Sequence, residues 1–193
     1  MADIRKVGVL GSGVMGSGIA AHVANAGVPV LLLDIVPEGA NDRNALAAGA
    51  IARMVQTKPA PLMDPAYAKL ITPGNLEDDL GLLADCDWIC EAVVENVAAK
   101  HAIYAKVDGV RRAGSILSSN TSTIPLTTLL EGMPAGLAVD FAVTHFFNPA
   151  RYMRLLEIVA GPETRADVIE TLHMFADHRL GKEVVFCKDT PAF

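Results

Sequence analysis

Residues Lys6 to Asp34 constrain this chain more than any other stretch: KVGVLGSGVMGSGIAAHVANAGVPVLLLD. An apolar run, Val7 to Leu10, ends in Gly11-Ser12-Gly13-Val14-Met15-Gly16. A helical pattern follows, with Met15, Ile19, Val23 and Ala26 on one face, and Gly27 stops it. A second apolar run, Val28 to Leu33, ends in Asp34. The order is strand, glycine turn, helix, strand, acid, and each part suits a bound dinucleotide. Gly11 permits the tight turn, Gly13 lets a pyrophosphate approach the backbone, and Gly16 lets the helix pack close to the sheet. The helix start, with Ser12, Val14 and Met15 around it, offers N–H groups and a partial positive charge to phosphate. Asp34 is placed to accept hydrogen bonds from both ribose hydroxyls and to repel a 2′-phosphate. No arginine follows in Ile35-Val36-Pro37, so the cofactor expected is NAD rather than NADP.

The stretch from Val7 to Leu33 also follows Arg5 and Lys6 and carries no formal charge, as a signal peptide or membrane span would. Its glycines, Asn25 and Pro29 oppose both, because a span needs about 20 mostly apolar residues and a signal a compact apolar core. The 193 residues suffice for one good-sized core. A net charge of −6 argues against nucleic acid as a partner, yet local backbone dipoles still bind anions on an acidic protein. Cys86, Cys90 and Cys187 are three in number and sit in or beside apolar runs. Reduced, buried thiols and a cytoplasmic location are therefore expected. No His, Cys or Asp spacing points to a metal.

Further along, Ala40 to Met54 is alanine-rich and helix-favouring, with Leu46, Ala50, Ile51 and Met54 inward. Lys58-Pro59-Ala60-Pro61 breaks the pattern and reads as a small insertion. Strands follow at Leu70 to Thr72, at Trp88 to Val93 and at Ser115 to Ser119, the last with a polar exit at Asn120 to Thr123. Val97, His101, Tyr104 and Val107 recur at helical spacing. Phe141 to Phe147 and Leu155 to Val159 are two more strands. Their connection is too short for a parallel crossover, so they run antiparallel. Thr164 with Asp167 resembles a capping box for a helix to about His178, and Glu183 to Cys187 is the last strand. The fold class expected is α/β: a Rossmann-type doubly wound sheet of about six parallel strands plus an antiparallel extension.

Ligands of such sheets bind beyond the carboxyl ends of the strands. Gly11 to Gly16, Asp34, Glu95, Asn120 to Ser122 and His145 to Asn148 all fall at such ends. His145 is a candidate base. If the turn after it centres near Arg151, Glu157 stands opposite, with Cβ atoms about 5 Å apart. A carboxylate there orients an imidazole and stabilises its cation; the same pair also suits a purely structural contact. Ser122 and Asn148 serve either a ligand or a turn. His22 reads as structural; His101, His173 and His178 as helix-surface residues.

GSGVMGSGIA, EAVVENVAAK, SSNTS, HFFNP and LLEIV together resemble the L-3-hydroxyacyl-CoA dehydrogenase family over nearly the whole chain. The resemblance implies NAD-dependent oxidation of a 3-hydroxyacyl-CoA, as in fatty acid beta-oxidation. It makes His145 the general base and Glu157 its acidic partner. Ser122 and Asn148 become substrate and cofactor contacts, and Glu95 and Lys100 a cofactor-side pair. Gly11, Gly13, Gly16 and Asp34 match the NAD site. Lys58 or Arg53 would meet CoA phosphates. Residues 1–193 are expected to be a single NAD-binding domain. KDTPAF resembles the family's lead into a helical C-terminal domain, absent from this chain, that closes the site and forms a homodimer. Such a chain would bind NAD but turn over acyl-CoA poorly, and the KPAP insertion resembles members fused to a hydratase-type domain. Two alternatives share the motif set: a gulonate-type or other hydroxyacid dehydrogenase, and a non-catalytic NAD-binding relative such as the related lens crystallins.

Overall fold

A computed structural model describes residues 3–192. The apolar runs become strands β1 (Val7–Leu10), β2 (Val30–Asp34), β3 (Ile71–Asn75), β4 (Trp88–Glu91), β5 (Ile116–Ser119), β6 (Phe141–Phe146), β7 (Leu155–Ala160) and β8 (Glu183–Cys187). They join in one sheet of order β3-β2-β1-β4-β5-β6-β7-β8. The first six are parallel; β7 is antiparallel to β6, and β8 parallel to β7. The expected six-plus-two arrangement is what forms. The chain order reverses direction between β1 and β4, so loops leaving those strands diverge and open a crevice at their carboxyl ends.

Helices α1 (Val14–Asn25), α2 (Ala45–Met54), α3 (Val97–Asp108), α4 (Leu126–Leu130), α5 (Ala135–Ala138) and α6 (Ala166–His178) cover both faces. Successive side chains of a strand point to opposite faces. Val7, Val9, Val30, Leu32, Trp88 and Cys90 therefore meet α1, α2 and α6 in one core. Leu10, Leu31, Leu33 and Ile89 meet α3, α4 and α5 in the other. Burial on both sides explains why the parallel strands read as continuous apolar runs rather than as alternating ones.

Local details depart from expectation where tertiary contacts win. The second helix starts at Ala45, and Ala47, Ala50 and Met54 turn inward while Leu46 is exposed. The third strand runs through Pro73, which an edge position tolerates. No capping box forms at α6: the Thr164 hydroxyl donates to Phe141 O at 2.7 Å instead, and Arg165 is the N-cap. Cys86 and Cys90 are buried, but Cys187 on the edge strand is only partly so. Among the described residues no helix is long and apolar enough to cross a membrane.

His22 lies on the buried side of α1. Burial first, then the Lys182 and Arg151 charges, lowers its pKa from 6.5 to about 4. Between those values the unfolded chain binds the proton and the folded chain does not, so stability is lost as pH falls from 6.5 towards 4. The full loss amounts to about 3 kcal/mol. Urea unfolding of the His22→Leu variant should show a visibly flatter dependence on pH across this window; an unchanged slope would place the acid sensitivity elsewhere.

Candidate active site

Three glycines shape the mouth of the crevice for three reasons. Gly11 has φ of +95°, and a Cβ there would stand 2.7 Å from Ala92 O. A Cβ on Gly16 would stand 1.8 Å from Gly11 O. A Cβ on Gly13 would meet nothing within 4 Å. Gly11 and Gly16 are thus required by the protein's own backbone, whereas Gly13 faces open space. Helix α1 begins immediately after it with no side-chain cap, so its first amides remain available to an anion. Open space over an uncapped helix start fits a dinucleotide pyrophosphate. Asp34 closes the turn from the end of β2. Its Oδ2 accepts from the Ser12 amide at 2.6 Å and the Ser12 hydroxyl at 2.5 Å, and its Oδ1 from the Ile35 amide at 2.7 Å.

A cleft of about 520 Å³ opens beside the turn, lined by Gly13, Val14, Met15, Glu95, Asn120, Ser122, His145 and Asn148 among others. Of the expected strand-end residues, Gly13, Val14, Met15, Glu95, Asn120, Ser122 and His145 to Asn148 line this cleft, whereas Asp34 lies outside its lining. His145 pairs in register with Glu157 across β6 and β7, and its Nδ1 lies 2.8 Å from Glu157 Oε2. The Phe147 ring packs against the imidazole, with centroids 4.4 Å apart. With Nδ1 directed at the carboxylate, Nε2 on the other edge of the ring is the nitrogen that can exchange a proton with a ligand. Ser122 is exposed, and its amide donates to Glu95 Oε1 at 3.1 Å. Asn120 supports the wall, accepting from the Phe146 amide at 2.8 Å.

Glu95 is set by its neighbours. Its burial acts to raise the pKa, but the Thr121 hydroxyl, the Lys100 ammonium and the Ser122 amide outweigh it and hold the carboxyl below its ordinary value. Lys100 lies beneath this surface, 1% exposed, with Nζ 2.7 Å from Glu91 Oε1 and 3.2 Å from Glu95 Oε2. Glu91, wholly buried at the end of β4, also accepts from Tyr104 OH at 2.6 Å, Ser119 Oγ at 2.8 Å and the Val93 amide at 2.8 Å. Burial, then the adjacent Glu91 carboxylate, keeps the Tyr104 phenol well above its usual range. The sequence hints at this network only through an acid closing an apolar strand, with Lys100 and Tyr104 one turn apart on the next helix.

A second cleft of about 470 Å³ adjoins the first, sharing Gly13, Val14 and Asn148, and is walled by Arg53 and Met54 of α2 and by Pro59 and Pro61. Arg53 lines it; Lys58 is exposed and outside the lining. Among the described residues no His, Cys, Asp and Glu group could hold a metal.

Comparison with known proteins places these features in context. The family described as "3-hydroxyacyl-CoA dehydrogenase, NAD binding domain" matches residues 6–190. A "Probable 3-hydroxyacyl-CoA dehydrogenase" of Bacillus subtilis is 49% identical over 98% of this chain and 26% of its own length. A protein of the same description from Deinococcus radiodurans is 47% identical over 98% of this chain and 55% of its own length. The crystal structure of 3-hydroxybutyryl-CoA dehydrogenase from Escherichia coli K12 has a TM-score of 0.83 at 31% identity, covering 100% of this chain and 40% of that one. The chain thus spans from about a quarter to about half the length of the curated relatives it matches.

Removing the Glu91 carboxylate leaves the Lys100 ammonium buried with the partly exposed Glu95 as its remaining acid. The Glu91→Ala variant should lose about 3–5 kcal/mol of stability in chemical unfolding, the usual cost of orphaning half of a buried pair. A loss below about 1 kcal/mol, as for an exposed pair, would show the pair to be solvated in solution.

Proposed function

Since the chain belongs to the 3-hydroxyacyl-CoA dehydrogenase NAD-binding domain family, we propose that it oxidises the 3-hydroxyl of an L-3-hydroxyacyl-CoA to a ketone, the dehydrogenation step of beta-oxidation. The observation that carries this proposal is the His145–Glu157 pair opening into the same cleft as the glycine turn. NAD, when bound, supplies the acceptor for the hydride leaving C3. The amides around Gly11, Ser12, Gly13, Val14, Met15 and Gly16 hold its pyrophosphate, and Asp34 its adenosine ribose. His145 Nε2 takes the hydroxyl proton as the C–H bond breaks, and returns one in the reverse direction. Glu157 keeps the ring oriented and stabilises its cationic form.

Ser122 and Asn148 hold the substrate oxygen and the nicotinamide end. Glu95 acts on the cofactor side directly, and the buried Lys100 acts through Glu95. The second cleft gives the thioester arm a path past Asn148, with Arg53 as the candidate partner for CoA phosphates. We take residues 1–193 as one NAD-binding domain. The relatives' greater length supports further sequence beside this domain in the whole protein; a helical domain that forms a homodimer, and fusion to a hydratase-type domain, are part of the same proposal.

Two measurements test this. The chain should bind NAD at least tenfold more tightly than NADP, roughly the discrimination of one unpaired charge contact, and the Asp34→Ala variant should lose most of that preference. In the longest polypeptide that carries the domain, His145→Gln should lower kcat with 3-hydroxybutyryl-CoA by roughly 10³-fold, a typical general-base contribution, with NAD affinity nearly unchanged. Retained turnover would put the base elsewhere, and turnover of a sugar acid in place of the acyl-CoA would reassign the substrate.

A further inference from the structure

Lys182 is a buried cation that the proposed chemistry leaves unused. It stands in the turn between α6 and β8 and is 3% exposed. Burial alone lowers its pKa from 10.5 to about 8. An ammonium withdrawn from water is costly unless its hydrogens are all engaged. Here two of the three are directed at one loop, residues 147–154 between β6 and β7. Lys182 Nζ donates to Ala150 O and, at 2.7 Å, to Met153 O. It also lies 5.5 Å from the centre of the Phe146 ring, next to His145.

The same loop is fixed on two other sides. Ala150 rests on α1, close enough that a Cβ on Gly18 would stand 3.5 Å from its own Cβ. Arg151 Nη1 donates to Ala60 O at 2.8 Å and Leu62 O at 3.1 Å, and Tyr152 OH donates to Ala60 O at 3.0 Å. Asn148, two residues before Ala150, is exposed at the junction of both clefts.

We propose that Lys182 is a positioning residue that anchors the loop between β6 and β7 from beneath, holding Asn148 against the nicotinamide end of a bound dinucleotide. This rests on the NAD-binding role argued above. Without the anchor the two carbonyls lose their donor, the loop gains freedom, and only the ring end of the cofactor is affected. The glycine turn and Asp34 do not touch the loop's anchor and keep the adenosine end.

ADP-ribose and NAD separate these halves, because ADP-ribose carries the pyrophosphate and both riboses but no nicotinamide. Both are titrated against the 193-residue chain and its variants by calorimetry. Lys182→Met keeps the aliphatic stem and removes the donors. It should bind ADP-ribose as the parent does and NAD about tenfold more weakly, the weight of one well-placed contact. Lys182→Arg, which restores donors, should recover part of the NAD affinity. Parallel weakening of both ligands, or no weakening of NAD, would overturn the proposal. If Lys182→Met does not fold, Lys182→Gln is judged by the same ratio, and failure of both to fold also overturns it, since the role would then be global. A parent chain that binds neither ligand would instead remove the nucleotide-binding role, and this inference with it.

Discussion

The contact on which the site depends is the near-touch between the first turn of α1 and the end of β1. At Gly16 the helix comes so close to the Gly11 carbonyl that even a methyl group would collide with it. This closeness aims the start of α1 into the crevice, and it leaves Gly13 at the front with nothing over it. Asp34 completes the arrangement from the neighbouring strand, tying both the amide and the hydroxyl of Ser12. A loop so short and so glycine-rich has few conformations once the helix and two strands are packed. The shape of the turn therefore comes from sheet packing together with the Asp34 carboxylate that holds Ser12.

Much of this was legible in the sequence because it depends on short-range rules. The strand–turn–helix–strand order follows from apolar runs and glycine spacing. The register of His145 with Glu157 follows from one assumption about where a tight turn is centred, since positions equidistant from it face each other across an antiparallel ladder. What was not legible depends on distant packing. Lys100 is paired with Glu95 by the family resemblance, but its burial against Glu91 is not written in the spacing, because Glu91 at the end of β4 and Glu95 in the following loop both converge on it. Thr164 looks like a helix cap but bonds to the carbonyl of Phe141, 23 residues away in sequence. Leu46 is apolar and yet exposed, because α2 turns the stripe of Ala47, Ala50 and Met54 toward the sheet.

Among the described residues, the buried lysines Lys100 and Lys182 are accommodated in different ways. Lys100 is compensated by carboxylates, so its charge is neutralised within the network. Lys182 is held by the carbonyls of Ala150 and Met153 and lies over the Phe146 ring, and burial lowers its proton affinity. Ion pairing ties Lys100 to acids on its own side of the sheet. Dipole pairing ties Lys182 to the backbone of a loop, and backbone is what gives a loop its shape.

The reversal of direction at β7 has a consequence for how the two halves of the site are written in the gene. A parallel neighbour for β6 would have required a helix-long detour before any residue could stand beside His145. Turning back at once brings the imidazole and its carboxylate onto a single hairpin, twelve positions apart. The glycine turn and Asp34, by contrast, lie within the first thirty-four residues. The two stretches meet in space where Ala150 of the hairpin loop rests against Gly18 of α1, so the outline of one bears on the other.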